Sequence, residues 1–248
     1  MSATNDIQLK LSEEELAQLP LEKGFRMRGL ETTRLDTLVD AGFAFVLSFL
    51  AISQDQLPTS FSELMVGVKS IPALILSFFM LIWFWLEHRR WSRRYGVETG
   101  MSILFSVSLV FVLMIYIFPL RLLFESMFGF LTAGYLPFTF EISNNLEVRH
   151  FFGLYSVGFF VMSMLIVGLY VVVLNKKLSL KLDEYEYRQT KSICVRWLIA
   201  AFFALLSLVL AYTLKPQLVH WAAFVYFALP LVQAIYFRVL GSKLKSTV

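Results

Sequence analysis

Six stretches of the chain carry apolar side chains with little polar interruption, and the polar residues collect between them. They run from Thr37 to Ser53, Val66 to Glu87, Ser102 to Leu120, Phe151 to Leu174, Trp197 to Leu214 and Val219 to Leu240. A bilayer core takes about 20 apolar residues of helix, so the pattern predicts six membrane-spanning helices. Pro119 marks the end of the third, and Pro230 sits inside the sixth as a kink, because proline lacks a backbone donor. The connection from Arg121 to His150 is rich in Phe, Gly and Leu. It reads as a partly buried, re-entrant or helical piece rather than a free loop. Upstream, Ser12-Glu13-Glu14-Glu15 reads as a capping box opening a short amphipathic helix with Leu16 and Leu19 on one side. A loosely ordered tail fits that segment equally well. The polar, acidic first 30 residues lack the basic start and apolar core of a cleavable signal peptide.

Composition agrees with this pattern. Of 248 residues, 58% are hydrophobic and 16% charged, with a mean hydropathy of +0.68. Soluble domains carry about 25% charged residues, so both a soluble domain and a disordered chain are excluded. The single cysteine, Cys194, excludes a disulfide scaffold and a multi-cysteine metal site. A net charge of +4 reads as membrane topology rather than nucleic-acid binding. Among the 22 Lys and Arg residues, only Lys69, Arg121, Arg149 and Lys215 fall outside the N-terminal segment, the second-to-third and fourth-to-fifth connections, and the C-terminal tail. That asymmetry places both termini in the cytoplasm. The expected fold class is an all-α, polytopic membrane protein with six transmembrane helices. Residues 1–33 form a cytosolic segment, 34–240 the six-helix domain and 241–248 a cytosolic tail. The cluster Arg89, Arg90, Arg93, Arg94 reads as a topology signal and a contact for anionic membrane lipids.

A catalytic constellation is not visible. No metalloprotease, nucleophile-elbow, Walker or dinucleotide motif is present. His88, His150 and His220 lie far apart, and Cys194 has no neighbouring histidine to activate it. The expectation is a protein that is not an enzyme, without cofactor or metal site.

The first span is the informative one. At 100° per residue, Leu38, Phe45, Ser48, Phe49 and Ile52 form one stripe. Asp40 lies about 140° away from it and shares its face with Asp36. An acid at mid-membrane costs about 2.5–3.5 kcal/mol, so Asp40 needs a partner or water. The second span ends Trp85-Leu86-Glu87-His88-Arg89, which puts His88 at a similar depth and Trp85 on the same face as His88. A buried carboxylate paired with that imidazole, or with a nearby Arg, is the expected solution.

Arg34-Leu-Asp-Thr-Leu38-Val39-Asp40-Ala41 resembles the Arg-x-x-x-Phe-Ser-Asp signature on the first helix of the TMEM175-type potassium channels. Leu38 stands where the signature has Phe, and Val39 where it has Ser. Trp85-x-x-His88-Arg89 resembles that family's second-helix Trp and His. Phe118-Pro119 and Leu154-Tyr155 are similar to later parts of the pattern. The resemblance implies a prokaryotic single-repeat member, assembled as a homotetramer in the bacterial inner membrane. Four first helices would line a central pore for a permeant potassium ion, without a carbonyl selectivity filter. It also implies a constriction of bulky apolar side chains, here Phe45, Phe49 and Ile52. Ser48 could hydrate or select a cation beside that ring, or bond its own helix backbone. Asp55 could ring the outer mouth, or be a solvated loop acid. Arg34, Leu38, Val39, Asp40, Trp85 and His88 would form the network holding the first two helices in register.

Two other classes fit the residues. One is a secondary transporter using Asp40 and His88 as a proton pair. The other is a non-conducting scaffold whose pore is plugged by Phe.

Overall fold

The computed structural model describes residues 12–52, 58–138, 140, 142–215, 218–219 and 221–245, with the helical backbone alone for residues 52, 237 and 239–245. The described residues are mostly helical: α1 (Glu13–Gln18), a two-residue-per-strand hairpin β1 (Leu21–Glu22) and β2 (Phe25–Arg26), then α2 (Arg34–Ile52), α3 (Phe61–Tyr95), α4 (Gly100–Leu131), α5 (Asn145–Asn175), α6 (Glu184–Thr213) and α7 (Trp221–Lys245). Among the described residues, α3, α4, α5 and α6 are long and apolar enough to cross a membrane. Helix α2 has 19 residues, and α7 contributes the shorter apolar stretch Trp221–Tyr236. The protein is therefore a multi-pass helical membrane protein.

The third span does not stop at Pro119. Helix α4 continues through this buried proline to Leu131, which turns the first part of the expected outer connection into helix. Proline removes one intrahelical bond, and packed neighbours tolerate that loss inside a membrane bundle. The extension holds an i,i+4 ion pair, Arg121 Nε to Glu125 Oε1 at 2.9 Å. Small residues let the helices approach, as membrane helix packing requires. A Cβ on Gly42 of α2 would lie 2.5 Å from Val110 of α4, and one on Gly158 of α5 would lie 2.2 Å from the Tyr116 ring.

The segment ahead of α2 packs against the bundle. Ser12 and Glu15 form a full capping box on α1, and Leu16 is buried. Lys23 and Gly24 both adopt positive φ in the hairpin turn, the conformation that twists a two-residue turn with its strands. Phe25 is buried edge-on to Tyr95. Arg28 N and Gly29 N then donate to the carbonyls of Arg94 and Arg93, two of the acceptors that a helix end leaves open. Gly29 is required there, because a Cβ would meet Ser92 O at 2.3 Å. Arg28 completes the docking with a fully buried ion pair, Nη2 to Glu186 Oε2 at 2.7 Å. Glu186 also closes the capping box that Asp183 opens on α6.

Candidate functional site

Helix α2 has two unlike faces. Val39, Phe43, Val46 and Leu50 are buried, at spacings that form one helical face, and the helix packs on α4 and α3. The other face carries Leu38, Ala41, Phe45, Ser48 and Phe49, all exposed in the single chain. Phe45 is 58% exposed, whereas Val46, one residue on, is 1% exposed. The Phe45 and Phe49 rings stack nearly parallel at 6.1 Å, and Phe49 meets Phe118 of α4 edge-on at 5.5 Å. The aromatic row is thus continued by a neighbouring helix. Ser48 Oγ donates to Ala44 O at 2.8 Å, so its hydroxyl is engaged by its own helix. Ile52 is described through its helical backbone only, and Asp55 lies outside the described residues.

The first turn of α2 is built by exchange between Thr33 and Asp36. Asp36 N donates to Thr33 Oγ1, and Thr33 N donates to Asp36 Oδ2, both at 3.1 Å, the reciprocal pattern of a capping box. Asp36 also accepts from Ser92 Oγ of α3 at 2.5 Å. One turn on, Asp40 accepts the indole N–H of Trp85 at 2.7 Å. The expected carboxylate–imidazole pair does not form. His88 is buried, and its Nε2 is 2.9 Å from Ser106 Oγ of α4. The reason is depth: α3 runs antiparallel to α2, so Trp85 rather than His88 comes level with Asp40. Nor is Asp40 a buried carboxylate. It stands on the wall of a polar cavity of about 420 Å³ shared with Asp36, Trp85, His88, Arg89 and Arg93. Its exposure on that wall and one indole donor meet its solvation needs. Arg34 is exposed and forms no hydrogen bond or ion pair among the described residues.

A second polar cluster went unread in the sequence. Glu87, 1% exposed, accepts from Tyr170 Oη of α5 at 2.8 Å and from Arg196 Nη2 of α6 at 2.8 Å, and pairs with Arg90 on its own helix. One carboxylate therefore ties three helices. The signal was an acid set among Trp85, Leu86 and His88 at the end of an apolar run.

These features define a helical membrane protein with an exposed aromatic face on α2 and a buried polar clamp joining α3, α5 and α6. The family model for the endosomal/lysosomal potassium channel TMEM175 matches residues 34–119, from the start of α2 to Pro119 in α4. A relative from Marivirga tractuosa, named a potassium channel, is 27% identical over 197 residues, covering 77% of this chain and 78% of its own. The fold is shared with the crystal structure of a variant of the potassium channel MtTMEM175 bound to a nanobody–MBP fusion. The TM-score is 0.78 at 23% identity, over 90% of this chain and all of that one. The likeness to the TMEM175 family model is thus carried by α2, α3 and the first part of α4, and the fold likeness extends over the rest of the chain.

Proposed function

We propose that this protein is a potassium-conducting channel of the bacterial inner membrane, in which four copies surround a pore lined by α2. The reading has six spans, α2 to α7, with both termini in the cytoplasm on the side of the Arg89–Arg94 cluster. One observation carries it: α2 buries Val39, Phe43, Val46 and Leu50 but leaves Leu38, Phe45, Ser48 and Phe49 exposed. Among the described residues α2 packs chiefly on α4 and α3, and copies of the chain supply a partner for its exposed face. A closed ring is the usual symmetry solution.

In this assembly Phe45, Phe49 and Ile52 form a dry neck. Water leaves a narrow apolar constriction, and an ion entering without its hydration shell meets a high desolvation cost. No carbonyl filter is involved, so selectivity rests on the neck's width and its few polar neighbours. Splay or rotation of α2 rewets the neck and opens it. The likeness to two proteins named as potassium channels supports potassium as the permeant ion. The separate partners of Asp40 and His88 favour this reading over a proton-coupled transporter.

The test is reconstitution in liposomes with potassium, sodium and proton flux read separately, together with native mass spectrometry of the purified chain. A tetramer passing potassium ahead of sodium supports the proposal. A stable monomer, or proton-coupled flux without potassium conduction, overturns it.

A further inference from the structure

An apolar cavity of about 450 Å³ lies between α3, α4, α5 and α7, at the end of the bundle away from the Arg89–Arg94 cluster. Leu76, Met80, Phe124, Phe152, Ala223 and Phe227 line it. Its volume is roughly three times the ~150 Å³ cavity that holds a benzene. Two of the three polar side chains that line it are already engaged. Ser126 donates to Leu123 O at 2.8 Å, and Tyr226 Oη faces Ser156. Ordered water needs two to four polar partners, so a hydrocarbon fits this space where water does not.

A cation stands at the same end. Lys69, Leu76 and Met80 occur at i, i+7 and i+11 of α3 and share one face, with Lys69 about 10 Å nearer the helix start. Its ammonium lies 4.4 Å from the centre of the Tyr135 ring. Tyr135 lies in the turn after α4, and Phe138, three residues on, lines the cavity. Lys69 is partly buried and forms no ion pair among the described residues. An apolar slot with a cation about 10 Å farther along the same helix face matches an amphiphile with a negative head and a hydrocarbon tail.

We propose that this cavity binds one acyl chain of an anionic phospholipid, with the phosphate seated at Lys69. The site lies on the outer flank of the helices, and its occupancy does not depend on whether the α2 face conducts. A bound tail would fill the seam between α7 and the α3–α4 pair and hold α7 against the bundle.

The test uses the full chain reconstituted with phosphatidylglycerol carrying a diazirine in one acyl chain, photolysed and mapped by peptide mass spectrometry. Label should concentrate on Phe124, Phe152 and Phe227 and be displaced several-fold better by unlabelled phosphatidylglycerol than by phosphatidylcholine. Ala223→Phe, which fills the slot, should lower groove labelling several-fold and leave labelling of exposed Phe202 on α6 unchanged. Lys69→Gln, at a partly exposed position that leaves the core intact, should erase the preference for the anionic lipid. Equal labelling of groove and Phe202, equal displacement by both lipids, or exclusion of all lipid from the groove by a second copy of the chain would each overturn the proposal.

Discussion

Trp85 on α3 donates its indole N–H to Asp40 on α2 at 2.7 Å, and this contact, alongside that of Ser92 to Asp36 and in place of one to His88, joins the two signature helices. It places a charged acceptor and a neutral donor across the wall of a polar cavity. The acid keeps access to water while its helix is held in register.

A hydrogen bond to a charged group contributes about 1.5–3 kcal/mol. Asp40→Ala and Trp85→Phe should therefore each lower the thermal stability of the purified protein by an amount in that range. The double variant should fall short of their sum, because both remove the same bond. Asp40→Asn, which retains an acceptor oxygen, should lose less. Thermal unfolding in detergent reads all four proteins. Additive losses would show that the bond contributes nothing.

At the proposed constriction, Phe45→Ala should raise potassium flux and weaken its preference over sodium, because shrinking an apolar neck lets water back in. Phe202→Ala, an equally exposed aromatic on α6, should change neither. Liposome flux at matched protein incorporation makes the comparison. Equal behaviour of the two variants would assign the Phe45 face to helix contact rather than to a pore.

Glu87 accepts from donors on α3, α5 and α6, so removing its charge takes this carboxylate from the largely buried Arg196 and from the more exposed Arg90. Breaking a buried ion pair costs about 3–5 kcal/mol. Glu87→Gln should lower the unfolding midpoint more than any single change on the exposed face of α2. Combining it with Arg196→Met should recover part of that loss, since the guanidinium that faced the lost carboxylate goes too. Thermal unfolding of the single and double variants tests this.

Arg28 anchors the N-terminal segment to α6 through Glu186, both side chains being fully buried. Arg28→Met should free the hairpin, so limited proteolysis at Lys23 should accelerate while the membrane helices remain resistant. An unchanged cleavage rate would mean that the backbone bonds of Arg28 and Gly29 to the end of α3 hold the segment alone.

The sequence by itself determined the membrane class, because repeated long apolar stretches with so few charges leave no soluble alternative. Helical periodicity also set the stripe of Leu38, Phe45, Ser48 and Phe49 apart from the face of Asp36 and Asp40, whereas the burial of Val39, Phe43, Val46 and Leu50 is decided by how α2 packs on α3 and α4. Helix ends were less legible: Pro119 reads as a stop, yet tertiary contacts carry α4 past it. Polar partners were decided by tertiary structure alone. Which of Trp85 and His88 reaches Asp40 depends on the depth at which α2 and α3 pass each other. The gathering of Glu87, Tyr170 and Arg196, or of Arg28 and Glu186, depends on helices distant in sequence being brought side by side. A side chain's own helix is encoded by local pattern, whereas its partner depends on how the helices are placed against one another.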